Sequence, residues 1–247
     1  MSSTDSAGDN PAEEFLSVSD VQVSYGDMVV LRDVNATIKK EDVVTIVGAN
    51  GAGKTTLLKA ITGIKAYDTG TITYKDESVS GKEPYQLIKD GLSYVPERHQ
   101  IFPDMTVSDN LKAAMIPTKG RNRRANLERV FDLFPILEQR LSQRAGTMSG
   151  GQQQMLAIAQ GLVTEPDLLL LDEPTLGLAP KIGEDIRDTI LKISDEGVTV
   201  LIVDEKIRMA MEISDEMYLM RKSTLRYLGE RGTFEEEYER IFEETIS

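Results

Sequence analysis

Three short segments hold residue types that could do chemistry. Gly48-Ala49-Asn50-Gly51-Ala52-Gly53-Lys54-Thr55 fits the spacing G-x-x-x-x-G-K-[ST]. Glycines at those intervals let backbone N–H groups turn inward as a ring of donors, and the start of a following helix adds the positive end of its dipole. Lys54 supplies a full charge to the outer phosphates of a nucleotide, and the Thr55 hydroxyl can ligate Mg2+. Gly48, Asn50, Gly51, Ala52, Gly53, Lys54, Thr55 and Thr56 are therefore the candidate phosphate binders. A second segment, Leu168-Leu169-Leu170-Leu171-Asp172-Glu173, is an apolar run ending in two carboxylates. Asp172 is placed to enter a Mg2+ shell and Glu173 to polarise an attacking water. The third segment, Met148-Ser149-Gly150-Gly151-Gln152, puts a serine and two glycines at a helix start, a second cradle for an anion.

Rigid elements must hold these segments. Val43-Val44-Thr45-Ile46-Val47 is a short β-branched run of the kind buried on both faces of a parallel sheet, and it feeds the glycine loop and a helix expected over 55–62. Leu168–Leu171, Val198–Val203 and Met217–Met220 repeat that style with helical patterns between them, which argues for an α/β fold with a mainly parallel sheet. Ahead of this, Phe15–Tyr25 alternates as a half-buried strand. Gly26-Asp27 then turns the chain into Met28–Leu31, an antiparallel pair. From about 101 to 147 the pattern is a small helical insert. Thr106-x-x-Asp109 starts one helix, and another runs from Ala125 with Leu127, Val130, Phe131 and Phe134 at helical spacing until Pro135 stops it. Residues 1–14 read as a disordered acidic tail without the pattern of a signal or transit peptide. Residues 228–247 read as an acidic, helical tail, so that one domain spans 15–247.

Composition removes several classes of function. The 247 residues contain no cysteine and one histidine, His99, read as a surface loop residue. Disulfides, Cys-ligated metals, thiol nucleophiles, multi-His metal sites and most Ser-His-Asp triads go together. A net charge of −13 opposes binding to a nucleic-acid backbone. No stretch approaches the 18 apolar residues of a bilayer crossing, so the expectation is a soluble, cytoplasmic chain.

Taken in order, the glycine loop, the Ser149-Gly150-Gly151-Gln152 helix start and Leu171-Asp172-Glu173-Pro174-Thr175 resemble the ATP-binding cassette family. Val95-Pro96-Glu97-Arg98, Met105-Thr106-Val107 and Leu176-Gly177-Leu178-Ala179-Pro180 narrow the resemblance. They are similar to the ATP-binding subunits of branched-chain amino-acid importers, most of all to the second of their two cassettes. That resemblance implies a P-loop cassette, with a mainly parallel core, an antiparallel β subdomain and a small helical subdomain. It implies an ATPase using ATP and Mg2+. It also implies a head-to-tail dimer with a second, different cassette, each ATP lying between one subunit's phosphate loop and the other's signature serine. Here that serine is Ser149, with Gly150, Gly151 and Gln152 beside it. The remaining implied partners are membrane-spanning permease subunits on the inner face of the membrane and, indirectly, an extracytoplasmic solute-binding protein, with no nucleic acid. By the same match Tyr25 stacks on adenine, Thr55, Asp172 and Glu97 attend the metal, and Glu173, Lys54 and Glu205 act in catalysis.

The pattern also breaks. Glu97 stands where most cassettes have Gln. Val203-Asp204-Glu205-Lys206 occupies the place of a switch histidine, with Glu205 at the switch position. Unit charges about 4 Å apart interact by roughly 1–4 kcal/mol between bulk water and a partly shielded site. Glu205 is thus expected to turn away, to be neutralised by Lys206 or Mg2+, or to slow hydrolysis. No Asp follows near Ala179 to couple two sites. The alternatives are a urea or short-amide importer ATPase, a low-turnover ATP-driven clamp, and a soluble non-transport cassette.

Overall fold

The computed structural model describes residues 14–97, 101–118 and 122–236. Two sheets share one body. A four-stranded antiparallel sheet runs in the order β2-β1-β4-β5, built from Glu14–Tyr25 (β1), Met28–Lys39 (β2), Thr69–Tyr74 (β4) and Glu77–Ser78 (β5). The larger sheet runs β10-β9-β3-β8-β7-β6. It comprises Val43–Val47 (β3), Leu92–Val95 (β6), Leu168–Asp172 (β7), Thr199–Asp204 (β8), Glu216–Arg221 (β9) and Thr224–Glu230 (β10). Its pairs β6/β7, β7/β8, β8/β3 and β3/β9 are parallel and only β9/β10 is antiparallel. Every residue of β3, β7 and β8 is buried, as their predominantly apolar composition requires of strands covered on both faces.

Helix Lys54–Ile61 (α1) and the antiparallel sheet pack on one face of the large sheet, in a core that includes Leu57, Ile61, Ile72 and Leu201. The other face is covered by Gly150–Leu162 (α6) and Pro180–Asp195 (α7), with Leu156, Ile186 and Ile190 fully buried. A smaller cluster joins Ile207–Ile213 (α8) to β9, β10 and the short helix Thr233–Glu236 (α9). The Tyr218 hydroxyl donates to the Thr37 carbonyl at 3.0 Å and accepts from the Thr37 N–H at 3.1 Å, stitching the two sheets. Between β5 and α6 lie Pro84–Lys89 (α2), Val107–Ala114 (α3), Arg123–Leu133 (α4) and Pro135–Glu138 (α5).

Four details differ from the sequence reading. The second strand runs to Lys39 rather than stopping at Leu31, because register shifts along β1 absorb the polar pair Arg32-Asp33 and restore the inward alternation. The helix read from Ala125 begins at Arg123, capped by Asn122, whose side chain accepts from the Ala125 N–H. Pro135 ends α4 yet opens α5, since proline suits a first helical position. Residues 228–230 belong to β10 rather than to a helical tail, because Leu228 is buried against β9 and α9. Of the tail read over 1–14 only Glu14 is described, and it already pairs in β1. Residues 237–247, like His99 and Arg98, lie outside the described residues.

Candidate functional site at the carboxyl edge of the sheet

Parallel strands deliver their carboxyl ends to one edge. The glycine loop follows β3, Glu97 follows β6, Glu173 follows β7 and Glu205 follows β8, so residues far apart in sequence arrive together. The loop is held by close approach. A Cβ on Gly48 would sit 2.5 Å from the Met220 carbonyl oxygen, and one on Gly53 would sit 2.7 Å from Leu31 Cδ2 at a φ of +114°. Neither position admits a side chain, which is the physical reason for glycine there.

Lys54 is buried, with its side chain 4% exposed. Its Nζ donates to the carbonyls of Gly48 at 2.7 Å and Ala49 at 3.2 Å, and pairs with Glu173 Oε1 at 3.1 Å. Those three contacts use the three ammonium donors. Glu173 sits at a φ of +48°, an uncommon conformation for a residue with a side chain, and its N–H donates to the Val203 carbonyl at 2.8 Å. Its Oε2 is buried and lacks a partner among the described residues. Thr55 Oγ1 donates to Asp172 Oδ1 at 3.1 Å, and the Tyr94 hydroxyl donates to Asp172 Oδ2 at 3.0 Å. Burial, only partly offset by those two hydrogen bonds, raises Asp172 above the ordinary carboxylate range. Asp204 is pushed up to about 6, chiefly by burial. Its Oδ1 accepts from the Lys206 N–H at 2.8 Å while Oδ2 has no hydrogen-bond partner among the described residues.

A hollow of about 180 Å³ gathers Asn50, Gly53, Lys54, Thr55, Glu97 and Glu173, with Gly51 and Thr56 on its wall. Glu205 lies beside it. Its Oε2 accepts from the Asn50 side-chain amide at 2.9 Å, so it faces the loop. Lys206 does not neutralise it, because that ammonium donates to the Thr175 carbonyl and hydroxyl at 2.9 and 3.1 Å. Tyr25 is not a core residue. It is 44% exposed, with Lys65 Nζ 4.8 Å from its ring centre. Ser149 and Gly150 are exposed and lie outside the hollow. Ser149 caps α6, its Oγ accepting from the Gln152 N–H while Gln152 Oε1 accepts from the Ser149 N–H.

The donor set at Thr55 and Asp172 consists of hard oxygens, which suit Mg2+. Among the described residues no group of three or more His, Cys, Asp or Glu side chains is placed to hold a metal. A cation here would thus share protein oxygens with waters and phosphates, the usual habit of Mg2+. Two residues of the site escape the sequence reading. Tyr94 sits in an apolar strand and Asp204 at the end of another, and neither carries a motif that marks it.

Comparison with known proteins gives a consistent result. Residues 31–176 match the family model described as ABC transporter. Over 210 residues the chain is 40% identical to the high-affinity branched-chain amino acid transport ATP-binding protein BraG of Pseudomonas aeruginosa, covering 85% of this chain and 90% of that protein. It is 37% identical over 210 residues to the probable branched-chain amino acid transport ATP-binding protein LivF of Archaeoglobus fulgidus, covering 85% and 89%. A solved ATP-binding cassette of an ABC transporter, in its ADP conformation, superposes with a TM-score of 0.82 at 27% identity, covering 94% of this chain and 95% of that one. The parallel sheet accords with the likeness in shape, and on the family match and the 40% identity this chain belongs to the ABC transporter family as an ATPase subunit.

Proposed function

We propose that this chain binds ATP with Mg2+ at the hollow around Lys54 and hydrolyses it to power an importer of branched-chain amino acids. The observation that carries the reading is the convergence of Lys54, Thr55, Asp172 and Glu173 at one sheet edge, with Lys54 already bonded to Glu173. Loop amides and the start of α1 receive the phosphates. Lys54 then exchanges its bonds to the Gly48 and Ala49 carbonyls and to Glu173 for phosphate oxygens. That exchange frees Glu173 to accept a proton from the attacking water as the bond to the terminal phosphate breaks. Thr55 and Asp172, with Glu97 at the rim, hold the metal, which when bound offsets charge on the phosphates. Tyr25 offers its exposed ring to the adenine, and Ser149, Gly150, Gly151 and Gln152 serve the nucleotide of a second cassette in a head-to-tail dimer. A related cassette has been solved as a dimer, with a TM-score of 0.76 at 25% identity.

An apolar groove of about 510 Å³, open beside α2, α3 and α6, is the proposed seat of the membrane-spanning subunits. Ile116 and Phe102 on its wall are more than half exposed. No helix of the described residues is long and apolar enough to cross a membrane, so attachment to the inner face would come through such partners and a solute-binding protein would be reached only through them. Glu205 beside the loop keeps this site slow. The test is ATP hydrolysis by the chain assembled with its permease and second cassette. Glu173→Gln should lower turnover by about a hundredfold or more while ATP still binds, and Glu205→His should raise it several-fold. Full turnover in Glu173→Gln would overturn the assignment, and no gain in Glu205→His would remove the slow-site reading.

A further inference from the structure

Asp172 closes β7 with 1% exposure, and hydroxyls from two different elements hold its two carboxylate oxygens. Thr55, on α1, holds Oδ1 and is itself assigned to the metal. When that hydroxyl turns to the cation, its grip on Asp172 is released. Among the described residues the Tyr94 hydroxyl makes no other hydrogen bond than the one to Asp172. It pairs opposite Leu170 in the parallel register of β6 with β7, and its ring packs on the core beneath the antiparallel sheet. Its hydroxyl therefore comes from a fixed frame and meets Oδ2 at 3.0 Å. A carboxylate held at one oxygen by a fixed donor presents the other in one direction, and such supporting donors govern metal affinity.

We propose that Tyr94 is a positioning residue for Asp172: it pins Oδ2, keeps Oδ1 aimed at Thr55, and so sets the divalent-cation affinity of the nucleotide site. The same ring lines the apolar groove with Ile64 and Phe102, so a partner seated there bears on the side chain that orients Asp172. The inference rests on the Mg2+ and ATP reading of the site, and the experiment separates the two.

Binding of Mn2+ to the full chain is followed by electron paramagnetic resonance in the presence of ADP, and ADP binding is measured separately in a chelator. Tyr94→Phe should weaken Mn2+ about tenfold or more and leave metal-free ADP affinity within about twofold, since the loop amides are untouched. In an Asp172→Asn background the same change should have no further effect on Mn2+, because Tyr94 acts through that carboxylate. Tyr94→Met, which fills the space differently and also lacks the hydroxyl, should reproduce the Mn2+ loss. Unchanged Mn2+ affinity in Tyr94→Phe, or an equal loss in both backgrounds, overturns the positioning role while the nucleotide reading stands. A parent chain that takes up ADP but no Mn2+ overturns the metal reading and Tyr94's role with it.

Discussion

The molecule has two glycine-rich helix starts, and they are built in opposite ways. At α1 the cradle is incomplete on its own terms. Lys54 spends its donors on backbone carbonyls and Glu173, Glu173 keeps one buried oxygen unpaired among the described residues, and five acidic residues, Glu97, Asp172, Glu173, Asp204 and Glu205, come from other strands. At α6 the cradle is self-satisfied, Ser149 and Gln152 capping each other in the open. A helix start crowded by unpaired buried polar atoms holds stress that a ligand can relieve. A capped, exposed one needs a surface from another molecule before it contributes.

The contrast can be broken most severely at Lys54. Lys54→Ala should lower nucleotide affinity about a hundredfold, given the worth of charge-assisted bonds. It should also destabilise the fold by about 3–5 kcal/mol, because Glu173 is left buried without its partner. Calorimetric titration and thermal melting read the two effects. Adding Glu173→Gln should recover much of the stability and none of the binding. If the single variant melts with the parent, the buried pair carries no such tension.

A smaller effect belongs to Asp204, behind the same loop. An acid whose folded pKa of about 6 exceeds its ordinary 3.8 holds its proton more tightly in the folded chain. Its stabilising contribution is therefore present in the protonated form and lost as pH rises from about 4 to about 6. The gap corresponds to about 3 kcal/mol. Asp204→Asn should accordingly melt higher than the parent at pH 7.5, with the difference shrinking toward pH 4. A constant difference across that range would refute the burial argument.

The smallest effect is expected at the other cradle. Ser149→Ala should remove about 1 kcal/mol of capping, a fall of about 2–4 °C in melting temperature. Nucleotide binding by the isolated chain should not change, whereas turnover of the assembled dimer should drop. A loss of binding in the isolated chain would mean that both cradles serve one site within a single subunit.

Sequence alone was a sufficient guide wherever the candidate site lies in contiguous residues. The loop from Gly48 to Thr56 needs only the strand before it and the helix after it, and both are written in neighbouring residues. The same holds for Asp172-Glu173, since an unbroken apolar run must be a covered strand and its polar end must emerge at an edge. Strand β2 was legible only to Leu31, because a bulge rather than a sequence period carries the pattern past Arg32-Asp33. The partners of Glu205 were open in the sequence for a related reason: Lys206 is adjacent in the chain, yet its side chain goes to Thr175 and Asn50 meets the carboxylate.

Residue types and short spacings thus determined the family, the glycine loop and the acidic strand end, because local backbone geometry and chain order suffice for them. Tertiary structure decided which side chains share an oxygen. The order β3-β8-β7-β6 sets Tyr94 against Asp172, stands Asp204 behind the loop and turns Glu205 onto Asn50. Such pairings depend on strand neighbours separated by scores of residues, and no local period encodes which strand will lie beside which.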